Sequence, residues 1–214
     1  EAVLVNSNTG EGINKAIEKI EEVYNSGKKQ YDEKGRIGKS IRVMVLGIPN
    51  VGKSSFINRI SKKTVATVGN KPGVTRQKQW IRINQNIELL DTPGILWPKF
   101  ESEEVALNLS YTGSIKDEVI EIIEVSFNLI RFLLNKHMDK LLNRYKLNTN
   151  EIGEILDLDI EENEKIYEIM KLIGKKRGAL ISGGEVDIEK VSRIILDDFR
   201  SGKIGRITLE EVKN

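Results

Sequence analysis

The chain has no cysteine in 214 residues, so neither a disulfide framework nor a thiolate metal site is open to it. A single histidine, His137, excludes a multi-histidine metal centre. A marked excess of charge of either sign is also missing. The formal net charge is +2, so neither nucleic-acid nor membrane binding can be argued from overall charge. No long hydrophobic run survives inspection. The most apolar stretch, Val119 to Leu134, carries Glu121, Glu124 and Arg131, which argues against a membrane span. Residues 2–5 (Ala-Val-Leu-Val) are too short for a secretory h-region, so the expectation is a reducing cytoplasm, with no membrane and no disulfide partner. With 39% hydrophobic and 31% charged residues, the chain suits a soluble globular protein of one large or two small domains.

What is present is concentrated near residue 50. Gly47-Ile48-Pro49-Asn50-Val51-Gly52-Lys53-Ser54 is a complete G-x-x-x-x-G-K-[ST] loop. A strand-like run, Ile41 to Leu46, enters it, and a helical pattern (Phe56, Ile57, Ile60) leaves it. Such a loop turns backbone N–H groups inward toward phosphate oxygens, at a helix N-terminus that adds positive potential. The segment from Pro49 through Ser55 is therefore expected to cradle a nucleotide. Lys53 would reach the outer phosphates, and the Ser54 hydroxyl would ligate magnesium. Gly38-Lys39-Ser40 ends in the same triplet, but Glu33 stands where the first glycine should be, and no strand precedes it. That triplet reads as linker.

About 40 residues on, the apolar run Ile87-Glu88-Leu89-Leu90 meets Asp91-Thr92-Pro93-Gly94, a D-x-x-G motif. An aspartate ending a buried strand can hold magnesium through water, and the Gly94 N–H can sense a γ-phosphate. Between the motifs, Lys71-Pro72-Gly73-Val74-Thr75 ends in a hydroxyl. Thr75 is expected to be a switch threonine ordered by magnesium and γ-phosphate; a plain turn residue is the alternative. Lys53, Thr75, Gly94 and Asn50 are the residues expected to act in catalysis.

Periodicity divides the chain into residues 1–98, α/β, and residues 99–214, helical throughout. In the first part, residues 2–5 read as a buried strand. A loop over Asn6-Ser7-Asn8-Thr9-Gly10-Glu11-Gly12 follows, then a helix with Ile13, Ala16, Ile17, Ile20, Val23 and Tyr24 on one face. Residues 25–40 read as a polar linker. A hairpin is expected over Trp80–Ile83 and Ile87–Leu90, turning at Asn84-Gln85-Asn86. In the second part, helices are expected near 102–110, 116–136, 138–146, 150–157, 161–173 and 187–200. Ile166, Ile169, Met170 and Ile173 form one apolar stripe, and Val191, Ile194, Ile195 and Phe199 another, as in a packed bundle.

The order of motifs is unusual. In Ras-like GTPases the loop that backs the guanine base follows the phosphate loop. Here Asn6, Ser7 and Asn8 open a segment resembling that loop, and it comes first. The fold class expected is therefore an α/β P-loop NTPase, Ras-like and circularly permuted with a truncated sheet, followed by an all-α domain. The strings Gly47–Ser54, Asn70-Lys71-Pro72-Gly73-Val74-Thr75 and Leu90-Asp91-Thr92-Pro93-Gly94-Ile95-Leu96-Trp97-Pro98-Lys99-Phe100-Glu101 resemble the ribosome biogenesis GTPase A family, bacterial circularly permuted GTPases. The resemblance continues through Thr112-Gly113-Ser114-Ile115-Lys116-Asp117 and Gly174-Lys175-Lys176-Arg177-Gly178, and so covers essentially the whole chain. It implies a GTP/GDP-binding GTPase that uses Mg2+ and assists late assembly of the large ribosomal subunit, with the helical domain contacting rRNA. In several GTPases with this loop, the residue matching Asn50 helps hold potassium beside the β- and γ-phosphates. K+ is therefore an implied cofactor, with loop shaping as the other reading of Asn50.

Two features depart from that pattern. The guanine-reading N-K-x-D motif is not found, and the chain is expected to be a fragment of about four strands where a Ras-like sheet has roughly six. Asn135-Lys136-His137-Met138-Asp139 is no substitute, because its Asp falls one residue late in a helical pattern. Ile95 stands where Ras-like enzymes place a water-orienting glutamine. The resemblance places a histidine near the native N-terminus in that role, whereas His137 reads as a capping or packing residue. An alternative function follows, a nucleotide-dependent RNA-binding module with little intrinsic turnover. The basic residues of the helical part fit either an RNA site or a solvated mixed-charge face. Lys175, Lys176 and Arg177, expected on a Gly174–Gly178 loop, are the best-placed group.

Overall fold

The computed structural model describes residues 2–28, 40–62, 78–96, 99–100 and 102–211. Thr75, most of the expected linker, and the Trp97-Pro98 junction lie outside the described residues. The chain divides into two compact units, Glu1–Pro98 and Lys99–Asn214.

Among its described residues, the first unit is a three-stranded sheet with two helices. Helix α1 (Ile13–Lys28) precedes β1 (Ile41–Val45), α2 (Lys53–Ser61), β2 (Gln79–Arg82) and β3 (Ile87–Asp91). The strand order is β1-β3-β2. β1 runs parallel to β3, with Val45 opposite Asp91, and β2 is antiparallel, with Arg82 opposite Glu88. The hairpin turn is held by Asn84, whose Oδ1 accepts the N–H groups of Asn86 and Ile87, both at 2.8 Å. Alternation sets one face of the sheet inward. Ile81, Ile87 and Leu89 pack with Ile13 of α1 and Ile57 and Ile60 of α2 to form the core.

Residues 2–5 correct the sequence reading. They form no strand, and Leu4 is 92% exposed. A short apolar run becomes a strand only beside a ladder that takes its backbone groups, and no described strand pairs with it. The first helix extends to Lys28, four residues into the expected linker, and Val23 is exposed rather than on the inward face.

The second unit is helical. It comprises α3 (Glu103–Tyr111), a 3-10 turn (Asp117–Val119), α4 (Ile122–Lys136), α5 (Met138–Tyr145), α6 (Thr149–Leu156), α7 (Glu162–Arg177) and α8 (Ile188–Arg200). Three of its helix starts, those of α3, α6 and α8, carry side-chain caps. Ser102 accepts from Val105 N at 3.3 Å, Asp187 accepts from Lys190 N at 2.9 Å, and Asn148 with Glu151 forms a reciprocal capping box. The core joins Leu129, Ile130 and Leu133 of α4 to Ile169, Met170 and Ile173 of α7 and Val191, Ile195 and Leu196 of α8. Arg200 closes the end of α3, donating to the Ser110 and Tyr111 carbonyls and bidentately to Asp117, at 2.8 to 3.2 Å.

Two helix boundaries differ from expectation. The segment 116–136 is not one helix. Ile120 and Glu121 are non-helical, so the 3-10 turn and α4 are separate. Conversely, α7 continues through Gly174 to Arg177 and ends at Gly178, in the left-handed conformation. Gly174 is no terminator. A Cβ there would lie 2.3 Å from Val186 Cγ1 and 2.7 Å from Val191 Cγ2, so glycine permits close packing inside the helix. Among the described residues, no helix is long and apolar enough to cross a membrane.

Candidate functional site

β1 delivers the chain into the loop at Gly47, and α2 begins at Lys53. Asn50 and Gly52 both have positive φ, 61° and 91°. Asparagine tolerates that conformation better than most residues, which accounts for part of its presence here. The N-terminus of α2 opens at Gly52 with no side-chain cap, and a helix N-terminus is a place where phosphate oxygens are favoured. Lys53 Nζ donates to the Ile48 carbonyl at 2.7 Å, so the lysine arches back across the loop.

The D-x-x-G segment sits directly on this loop. Thr92 Oγ1 donates to Val45 O at 2.6 Å, joining the end of β3 to the end of β1. Ile95 N donates to Gly47 O at 3.3 Å. Gly94 lies over Pro49, where any side chain would meet backbone. The structure thus places Gly94 against Pro49 and Asp91 within electrostatic reach of Lys53.

Asp91 is the electrostatic centre of the site. It is 1% exposed, and neither carboxylate oxygen makes a hydrogen bond among the described residues. Burial pushes its carboxyl up from the ordinary value, partly offset by the Lys53 charge and the nearby Thr92 backbone. Burial likewise lowers the Lys53 ammonium, with Asp91 opposing. A buried carboxylate is costly unless it is fully compensated, and Lys53 offsets only part of the burial here. Its oxygens fit a hard cation held directly or through water. Among the described residues no three His, Cys, Asp or Glu side chains gather into a metal site. A magnesium ion here would therefore take most of its ligands from phosphate and water, with Ser54 and Asp91 from the protein.

The Asn6–Gly12 loop lies beside α2, although it precedes it in the chain. Asn6 Oδ1 accepts from Asn8 N and Thr9 N at 2.9 and 3.2 Å, and Gly10 N returns to Asn6 O at 2.8 Å. Arg59 of α2 clamps the loop, donating to Ser7 O at 2.6 Å and to Asn8 O. A cavity of about 620 Å³ opens between them, lined by Ser7, Gly10, Asn14, Ser55, Asn58 and Arg59 among others. Ser55, Asn58, Arg59 and Lys62 follow i, i+3, i+4, i+7 spacing and so share a polar stripe opposite Ile57 and Ile60. Sequence reasoning named Ser7 and Ser55 but missed Arg59. The polar stripe was its one available signal.

The profile of the family described as 50S ribosome-binding GTPase matches residues 42–171. The chain belongs to this family. Family membership places it among hydrolases acting on GTP. It is 40% identical to Ribosome biogenesis GTPase A of Bacillus pumilus over 210 residues, 98% of this chain and 70% of that protein. It is also 40% identical to the Bacillus licheniformis protein of the same name, covering 97% of this chain and 69% of that one. A GDP-bound structure of TM YlqF aligns with 80% of this chain at 27% identity and a TM-score of 0.49; the chain spans 60% of it.

Proposed function

We propose that the chain binds GTP on the Gly47–Ser54 loop, hydrolyses it, and couples nucleotide state to assembly of the large ribosomal subunit in the cytoplasm. Lys53 carries the outer phosphates, with the backbone from Pro49 to Ser55 around them. Asn6, Ser7 and Asn8 flank the base side of the cavity, held by Arg59. Ser54, Asp91 and Thr75 serve magnesium, which neutralises phosphate charge when bound, and Asn50 serves potassium. Gly94 and Thr75 engage the γ-phosphate and release it after hydrolysis. The helical unit, residues 99–214, meets rRNA.

The observation that carries this reading is the buried Asp91 carboxylate, which accepts no hydrogen bond among the described residues and lies within electrostatic reach of the loop lysine, Lys53. One further observation bears on turnover. Ile95 is 62% exposed and has no acceptor with which to orient water. This favours slow intrinsic hydrolysis that a ribosomal partner accelerates. Single-turnover hydrolysis with and without large-subunit particles tests the proposal. Stimulation by particles is the expected result. If hydrolysis stays negligible with particles present, the chain is a nucleotide-dependent RNA-binding module instead.

A further inference from the structure

The three consecutive cations at the end of α7 do not share a face. Neighbours on a helix diverge by about 100°. Lys176 Nζ turns to Glu151 of α6 at 3.4 Å, whereas Arg177 Nη2 lies 3.7 Å from Asp198 of α8. The sequence triplet is therefore not one patch.

A different set does converge. The Asp198 side chain is 4% exposed and accepts two bonds from Arg144 of α5, at 2.7 and 3.0 Å. A bidentate arginine already neutralises a carboxylate. Yet Arg177 stands 3.7 Å away and Lys203 Nζ 3.6 Å away, from the opposite oxygens. Among the described residues, Asp198 is the one carboxylate within ion-pair distance of either. The cluster thus carries an excess of two positive charges. Arg177 and Lys203 are the exposed members, with side chains 35% and 57% accessible. The arrangement is fixed from several sides. Lys203 N donates to Asp198 O at 2.9 Å, and Lys140 Nζ of α5 donates to Arg206 O at 2.5 Å, tying the segment after α8 to α5.

Holding three cations on one acid costs repulsion that a further anion would relieve. We propose that Arg144, Arg177 and Lys203, gathered on Asp198, form a docking point for a phosphate of an RNA backbone. This rests on the reading that the helical unit meets rRNA, and it locates that contact. Asp198 and Arg144 are the positioning pair, and Arg177 and Lys203 touch the phosphate. Phosphate contacts of this kind set register and affinity without reading bases.

The test compares two double variants of equal charge by fluorescence-anisotropy titration of a labelled large-subunit rRNA transcript, with the GTP-analogue form of the full chain. R177Q/K203Q keeps the buried Arg144–Asp198 pair. It is expected to weaken binding about tenfold at ~100 mM salt and to reduce the salt slope by about 1.4, two contacts at ~0.7 each. K175Q/K176Q removes the same charge elsewhere and is expected to stay within about twofold. Unchanged melting temperature confirms that both variants are folded, and R177K should recover part of the loss. Equal losses in the two doubles, or no loss in R177Q/K203Q, overturn the site while leaving RNA binding intact. If the wild-type chain binds no RNA, the reading beneath it falls, and the site with it. Saturable submillimolar binding of inorganic phosphate, lost in R177Q/K203Q without any change in RNA affinity, would make the cluster a small-anion site and overturn the proposal.

Discussion

Gly94 rests on Pro49. A Cβ built on Gly94 would lie 2.5 Å from Pro49 Cα and 2.6 Å from Pro49 N, distances that no rotamer change can relieve. The segment proposed to sense the γ-phosphate and the loop proposed to hold it are thus in van der Waals contact. Gly94→Ala must push them apart. It should lower stability by about 1–3 kcal/mol through overpacking. It should also erase the difference in affinity between a GTP analogue and GDP. Thermal denaturation reads the first effect and titration calorimetry the second. Retained discrimination would show that Gly94 is a packing residue only.

Asp91 gives a prediction with a sign. Burial raises its carboxyl above the unfolded value, so the folded chain holds this proton to higher pH. Stability from this site is therefore greatest at low pH and falls as pH rises through the raised value. Asp91→Asn removes that dependence and should be more stable than wild type above this window and no more stable below it. Its magnesium-dependent affinity for GTP should fall by about tenfold or more. Denaturant midpoints across pH, alongside calorimetry with and without magnesium, check both. A variant with unchanged magnesium dependence would remove Asp91 from the metal site.

The two readings of Asn50 separate by substitution. Its φ of 61° is one that glycine adopts without strain. Asn50→Gly keeps the loop and deletes the amide. If Asn50 serves potassium, stimulation of hydrolysis by potassium over sodium should drop about tenfold, ~1.4 kcal/mol of barrier. Rates at equal ionic strength decide it. A fully stimulated Asn50→Gly variant would leave Asn50 as a turn residue.

Arg59 ties together two loops far apart in sequence. Arg59→Ala should loosen residues 6–12 and weaken GTP affinity about threefold to tenfold, less than a buried charged hydrogen bond would cost because this one is exposed. Arg59→Lys should not restore it, since a lysine cannot span the Ser7 and Asn8 carbonyls in a fixed fork. Hydrogen exchange at residues 7–10 should rise in both variants. Unchanged exchange would leave the clamp without a role.

The phosphate loop, the hairpin and most helices were legible because each is specified locally, by glycine spacing, alternation or capping residues. What was not legible depends on partners. Ala2–Val5 has the composition of a strand but no neighbour among the described residues to pair with. Gly174 carries the signature of a helix end, yet the packing of Val186 and Val191 against it keeps the helix going. Lys175, Lys176 and Arg177 looked like one patch because adjacency in sequence was taken for adjacency in space. The Arg59 clamp joins residues about 50 apart, and the polar stripe of α2 does not say which distant carbonyls it reaches.

The two cores described above are unequal, and this shapes how the chain comes apart. The α/β core rests on Ile13, Ile57, Ile60, Ile81, Ile87 and Leu89, whereas the helical core runs through six helices and buries far more apolar surface. Heating should melt the small core first and the helical one later, so one free energy of unfolding does not describe the chain. Nucleotide held by the first unit stabilises only what it binds. Ligand affinity will therefore be written in the lower of two melting steps, while the upper step stays still.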